Sequence, residues 1–420
     1  MNNCISALGF AVFIFLAWLL SANRRAVCWR PVLGGMLLQF IFALLIFCFP
    51  ATRSFFVMFS NGFTSMINLS QEGIVFVFGS LGVTGPPHGF ILAFQVLPFI
   101  VIFSSMMSAL YFVRIMPLVI RFFAIIFART MRVSGAESLC ASANIFVGIE
   151  SSVTVRPYLS RMTESELFVV LTTGMATSAS SVLAVYVSML KDTFPLIAGH
   201  LLSASLISAP AAFVICKLMI PEIGSPETMR AEDCRVDSGD DSKNFVEAVM
   251  KGADYGGRMA ASVAITLIAF VGLLAIINGL IGWIGVKVGF GGLNIQAALA
   301  YMFCPFTWLM GVPSSEVWPV ARMLGERLVV TEIPAYQHLA DFAAGGGSGR
   351  SVLIASYALC GFAHVASMGI FVAGTGALAP DRLPTLSRLG PRALLAATLV
   401  TMMTGCVAGM FYYGQAGILR

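Results

Sequence analysis

Eight stretches of the chain are apolar for long enough to cross a lipid bilayer: residues 4–21, 32–49, 89–112, 167–190, 196–219, 260–283, 352–373 and 393–412. Each runs about 18 to 24 residues, which at a rise of ~1.5 Å per residue matches a hydrocarbon core of ~30 Å. Lipid offers no hydrogen-bond partner to a backbone amide or carbonyl. A spanning segment must therefore satisfy its own backbone as an α-helix or close into a barrel. Runs of this length are too long for barrel strands, so the expected fold is an all-α polytopic membrane protein. Composition agrees: 58% of residues are hydrophobic and 11% are charged, against about 25% charged in soluble domains. The net charge of +5 is dispersed, with no basic patch interleaved with aromatics, so no nucleic acid partner is expected.

The first apolar run has an uncharged start, and its basic residues Arg24, Arg25 and Arg30 follow it. It reads as a retained span rather than a signal peptide, with the loop behind it on the cytoplasmic side. The nine cysteines are scattered and never form a CxxC pair, so neither a metal site nor a disulfide framework is expected. Residues 52–68 are Phe-rich with interspersed polar side chains and are expected to lie in the membrane interface. Residues 224–244 are the one long polar stretch and should form a solvated loop joining two halves. His88, after Thr-Gly-Pro-Pro, reads as part of a turn.

Two apolar regions carry residues that a simple span would not. One is "SANIFVGIESSVTVRPYL", with Glu150, Arg156 and Pro157; the other is "GERLVVTEIPAYQHLADFAAGGGSGR", with Glu332 and Pro334. Each is followed by a polar connector and then a span crowded with small residues: "GMATSASSVLAVYV" in the first case, "CGFAHVASMGIFVAG" in the second. The first connector places Thr163 and Glu166 at capping-box spacing, so a helix is expected to begin there. The second, "AAGGGSGR", lacks the GK[ST] ending of a phosphate-binding loop and reads as a glycine turn. Small residues alone equally suit close helix packing. A broken segment followed by a polar, small-residue span, once in each half, points to an inverted-repeat secondary transporter.

An ionised carboxylate in hydrocarbon costs at least ~2.5 kcal/mol, so it is tolerated where it faces a cavity or a partner. Two half-helices meeting at a re-entrant tip would provide that cavity, and a carboxylate suits a ligand rich in hydroxyl or N–H donors. The simpler reading of Glu150 is an ion pair with Arg156. His364 alone reads as a hydrogen-bonded core histidine, and Glu316 and Glu326 are expected near loop ends, in solvent.

At these residues the sequence resembles the concentrative nucleoside transporter family. The family's first hairpin reads roughly N-x-F-V-G-Q-T-E-x-P and ends in V-R-P-[FY]; here it is "NIFVGIESSVTVRPY". A-[ST]-I-A-G-S-V corresponds to "ATSASSV", G-E-K-L-x-x-N-E-F-V-A-Y to "GERLVVTEIPAY", and A-L-C-G-F-A-N-F-x-S-I-G-I to "ALCGFAHVASMGI". The resemblance covers nearly the whole chain and is that of a divergent bacterial member. It implies a homotrimer of protomers with about eight transmembrane helices and two re-entrant helical hairpins in inverted repeats. A moving transport domain would bind a nucleoside at mid-membrane, between the hairpin tips and two unwound helices, and import it by alternating access, driven by Na⁺ or H⁺. The resemblance implies a carrier and not an enzyme, without a cofactor, in the bacterial inner membrane.

Carried over by position, the resemblance places Glu150 on the nucleobase side, Val182 against the base, Glu332 on the ribose, Phe362 beside both, and Ser367 near the ribose. It places a sodium site at Asn144, Val147, Thr177 and Ser178. Two departures bear on the substrate. The family's Gln-Thr pair is reduced to Ile149 with one residue lost, and its ribose-binding asparagine is His364. Base-edge hydrogen bonds carry large discrimination, so a modified nucleoside, a nucleobase or another polar solute is the alternative substrate. His364 leaves proton coupling open. A more distant alternative is an intramembrane acid–base enzyme using Glu150, Glu332 and His364. The expected division is scaffold helices and interfacial helix at 1–130, a first transport repeat at 131–222, a polar linker at 223–245, a scaffold helix at 246–290 and a second repeat at 291–420.

Overall fold

In the computed structural model, residues 2–83, 89–228, 242–288 and 294–414 are described; of these, the side chains of residues 50–53, 55, 149, 150, 285, 286 and 288 are not. The turn assigned to His88 and most of the polar loop, residues 229–241, lie outside the described residues.

Helices α1 (Asn2–Leu19) and α2 (Trp29–Cys48) lead into α3 (Pro50–Phe78), a 29-residue helix much longer than the interfacial segment expected at 52–68. Then come the short α4 (Leu92–Gln95), α5 (Pro98–Phe112) and α6 (Ile115–Met131). The first repeat holds α7 (Gly135–Ala143), two 3-10 segments (Ile149–Val155 and Leu159–Arg161), α8 (Glu164–Ala176), α9 (Ser180–Leu190) and α10 (Ile197–Met219). Helix α11 (Phe245–Val288) follows, with α12 (Ile295–Leu309). The stretch expected as the second repeat, from residue 291, holds α12 and then α13 (Val317–Val329), α14 (Glu332–Ala344), α15 (Gly349–Leu359), α16 (Val365–Leu378) and α17 (Leu383–Met410). The fold is all-α and polytopic. Among the described residues seven helical stretches are long and apolar enough to span; the eighth expected span, 352–373, is interrupted between α15 and α16.

Both small-residue spans are broken. Helix α8 stops at Ala176, and Thr177 is extended at φ −118°, ψ 170° before α9 begins. Helix α15 stops at Leu359, and His364 is extended at φ −140°, ψ 163° before α16 begins. The two breaks lie against each other. A Cβ on Gly361 would stand 2.9 Å from the carbonyl oxygen of Ala176, so only glycine permits this approach.

Each hairpin packs against the broken helix of the other repeat. The second arm of the first hairpin contacts α16, where Ser152 and Thr375 share a 3.1 Å hydrogen bond. Hairpin two, α13 with α14, contacts α9 through Tyr186. Pro334 falls in the first turn of α14, where a missing N–H breaks no helical bond.

Charge fixes the hairpin bases. Capping boxes start α7 (Ser134 with Glu137) and α8 (Thr163 with Glu166), the latter as its spacing predicts. Buried Lys217 on α10 lies 2.8 Å from Glu137 and 3.4 Å from Glu222, and its ammonium donates to Ser165 at 3.1 Å. The polar loop starts in solvent, with Gly224, Ser225 and Glu227 exposed, but Thr228 is buried and its side chain accepts from the Ala136 amide at the head of α7. Glu316 and Glu326 also differ from expectation. Glu316 accepts from the Ser348 amide at 3.0 Å and from the Ser348 and Ser351 hydroxyls, pinning the start of hairpin two to α15. Burial pushes its carboxyl up, but these three hydrogen bonds outweigh burial and hold it below the usual carboxylate range. Glu326 is buried and pairs with His338 at 2.6 Å across the two arms of hairpin two. A carboxylate near a loop end thus ties elements together where donors are within reach.

Helix α11 is 44 residues long, runs well beyond the apolar span expected at 260–283, and packs along α5. Within its apolar stretch, Phe245–Ile284, only 6% of one 18-residue run is buried inside the protomer. A helix this apolar and this uncovered is solvated by lipid or by another chain.

Candidate functional site

The site grows out of the two breaks and the two hairpin tips. Glu332 is the first residue of α14, where free amides and the helix dipole favour a carboxylate. It is 2% exposed. Its Oε1 accepts from the Tyr186 hydroxyl at 2.7 Å, and Tyr186 in turn stacks on Tyr336 with centroids 4.2 Å apart. Its Oε2 lies 3.1 Å from Nε2 of His364 but has no aligned donor, so it retains capacity to accept a hydrogen bond.

His364 has a second duty. It is the N-cap of α16: its Nδ1 accepts from the Ser367 amide at 3.1 Å, while the Ser367 hydroxyl accepts from the His364 amide at 3.3 Å. An accepting Nδ1 carries no proton, which assigns the N–H to Nε2, facing Glu332. The Ser367 hydroxyl also donates toward the carbonyls of His364, at 2.7 Å, and Phe362. Ser367 therefore builds the turn of the break.

Around this polar end lies a cavity of about 340 Å³. Val182, Glu332, Phe362, His364 and Ser367 all line it, so the structure gathers five of the seven residues anticipated for the substrate. Gly148 lines it as well. The backbone of Ile149 and Glu150 opens the adjoining 3-10 segment; their side chains, and with them the Glu150–Arg156 pairing, lie outside the described residues. Sequence reasoning missed Tyr186, although it sits four residues after Val182 on the same helix face. It also missed the wall supplied by α11, including Tyr255, Arg258 and Met259.

The four residues anticipated for the ion flank the first break. Asn144 caps α7 and is fully buried; its amide nitrogen donates to Thr173 at 3.1 Å, and its Oδ1 has no donor. Thr177 ends α8 and donates to the Thr173 carbonyl at 2.9 Å, while the hydroxyl of buried Ser178 has no partner. Val147 is buried at the hairpin tip, and the neighbouring Phe146 carbonyl accepts from the amide and hydroxyl of Ser180 at the head of α9. Buried neutral oxygens without donors fit a hard monovalent cation.

Three family models match the chain in order: the N-terminus of Na⁺ dependent nucleoside transporters over residues 8–81, a nucleoside recognition segment over 93–193, and the C-terminus of Na⁺ dependent nucleoside transporters over 200–409. The chain belongs to the concentrative nucleoside transporter family. It is 38% identical to an uncharacterized transporter of Haemophilus influenzae, over 98% of both chains. To solute carrier family 28 member 3 of Homo sapiens it is 37% identical, covering 97% of this chain and 60% of that one. The solved structure of CNTnw in an inward-facing substrate-bound state matches with a TM-score of 0.89 at 36% identity, over 98% of this chain and 99% of that one. A variant of CNTnw in an outward-facing state matches with a TM-score of 0.91. The concentrative nucleoside transporter fold, with its membrane-spanning helices, makes this a multi-pass membrane carrier rather than an enzyme.

Proposed function

We propose that this chain imports a nucleoside or nucleoside-like solute together with Na⁺, by alternating access across the bacterial inner membrane, as a homotrimer. The observation that carries the reading is the buried Glu332 carboxylate, which keeps one oxygen without an aligned donor at the wall of the cavity. Vicinal hydroxyls are the donors such an oxygen takes. The ribose would lie against Glu332 and His364, with Ser367 holding the break beneath it, and the base against Val182 and Phe362, next to Ile149 and Glu150. Na⁺ would take the neutral oxygens of Asn144, Thr177 and Ser178 with the backbone at Val147. That CNTnw has been solved facing inward and outward supports alternating access here. The bare length of α11 supports a trimer that covers it.

His364 and Ile149 favour a substrate other than ordinary uridine. A histidine whose Nδ1 is taken by the α16 cap has less to offer a ribose than a free amide would. A panel of radiolabelled nucleosides and nucleobases, offered to proteoliposomes in Na⁺ or choline at two pH values, tests this. Accumulation of a nucleoside-like compound under a Na⁺ gradient is expected. Uptake that persists in choline and collapses with a protonophore would replace Na⁺ with H⁺, and no accumulation of any nucleoside-like compound would end the reading.

A further inference from the structure

Arg327 has no role in the site above, yet it is the largest fully buried side chain among the described residues. It lies in the last turn of α13, the first arm of hairpin two, as Asn144 lies at the end of the first arm of hairpin one. Its Nη1 donates to the carbonyl of Ala358, in the last turn of broken helix α15, and to Thr401 on α17 at 3.1 Å. Its Nε and Nη2 have no hydrogen-bond partner, and no carboxylate among the described side chains lies within ion-pair distance. A full charge at such a depth is expensive, and a mere helix cap would not need one.

The two repeats are complementary at this point. Helices α8 and α15 both end inside the protein, each presenting the negative end of its dipole and carbonyls freed by the break. At the end of α8 the unpartnered groups can accept: the Asn144 Oδ1, and the Ser178 hydroxyl, whose lone pairs are free. At the end of α15 they are donors on a fixed cation. Gly361 brings the two ends into contact, so both sets of carbonyls share one low-dielectric region. A second mobile cation there would meet the guanidinium at close range and be repelled.

We propose that Arg327 is a tethered cation that occupies, in the second repeat, the place a coupling ion takes in the first. It positions the broken end of α15, and through it Glu332 and His364, without an ion. One coupling ion then accompanies each substrate. This rests on the reading of an ion at Asn144.

The test compares wild type with Arg327→Lys and Arg327→Ala in proteoliposomes, reading the Na⁺ dependence of uptake and the charge moved per substrate. Thermal unfolding of the purified proteins in Na⁺ and in choline is the second readout. Wild type and Arg327→Lys should move one charge per substrate. Arg327→Ala vacates the carbonyl cage and should acquire a second Na⁺: the charge ratio rises from one to two, and Na⁺ raises its thermal midpoint by several degrees more than it does in wild type, as binding to the native state alone requires. A purely structural arginine would lower stability without changing the charge ratio. The proposal is overturned if Arg327→Ala gains no additional Na⁺ response in either readout, or if it fails to fold at every Na⁺ concentration. Wild type indifferent to Na⁺ would instead sink the ion at Asn144, so the two failures are read from different proteins.

Discussion

The two broken helices share a plan and differ in chemistry. At the first, every polar group is neutral: Asn144, Thr173, Thr177 and Ser178 present oxygens, two of them without donors. At the second, the groups are ionisable: Arg327, Glu332 and His364 lie within one short stretch of packed elements, with Tyr186 reaching in from the first repeat. Neutral oxygens leave a charge for an ion to supply. A carboxylate with its own neighbours offers directional acceptance to a ligand. On the proposed reading the same interruption of a helix serves two cargoes, and the crossed packing of each hairpin on the other repeat would set them side by side.

Breaking the second half should have the largest effect. Glu332→Gln removes the charge that accepts from Tyr186 and from a substrate hydroxyl, and should weaken nucleoside binding by about 3 kcal/mol, or ~100-fold. Calorimetric titration of the purified variant checks it. Breaking the first half should leave the substrate contacts and remove the ion: Asn144→Leu deletes Oδ1, and its uptake should lose a Na⁺ stimulation of roughly 10-fold, becoming equal in Na⁺ and choline. Tyr186→Phe removes one hydrogen bond from Glu332 while keeping the stack on Tyr336, and should cost about 1 kcal/mol of substrate affinity, ~5-fold.

Two smaller changes sharpen the contrast. Asparagine is a good N-cap, so His364→Asn should keep α16 intact, with stability within about 0.5 kcal/mol of wild type. The same change should alter the order of preference among nucleosides in a competition assay. Glu316 lies outside the spans, and its carboxyl is held below the usual range, so its stabilising contribution is present above the unfolded value of about 4.3 and is lost as pH falls through the lower folded value. A thermal-midpoint profile on the acid side should be slightly flatter in Glu316→Gln than in wild type.

Much of this was legible in the sequence because lipid leaves few options. Span lengths gave the helices, and Glu332 beside Pro334 marked a hairpin whose second arm begins there. Thr163 and Glu166 gave the start of α8. The two unwound helices were expected from the family resemblance alone; the residues themselves do not mark the breaks, since neither 177–179 nor 360–364 contains a proline. What opens them is contact between helices far apart in sequence, seen at Gly361 against Ala176. Tyr186, Arg327 and Lys217 were missed for the same reason: their partners Glu332, Ala358 and Glu137 lie 146, 31 and 80 residues away (|332 − 186|, |358 − 327|, |217 − 137|). Glu316 and Glu326 misled because proximity to a loop end says nothing of the donors waiting there.

The central claim is that an ion at the neutral break and a nucleoside at the charged break assist one another. Linkage makes that assistance reciprocal, so it can be read from substrate affinity alone. The direct measurement is the Kd of the purified protein for its nucleoside in Na⁺ and in choline. Tighter binding in Na⁺, by a factor of about 5 to 150, is the predicted result. The same Kd in both would contradict the account.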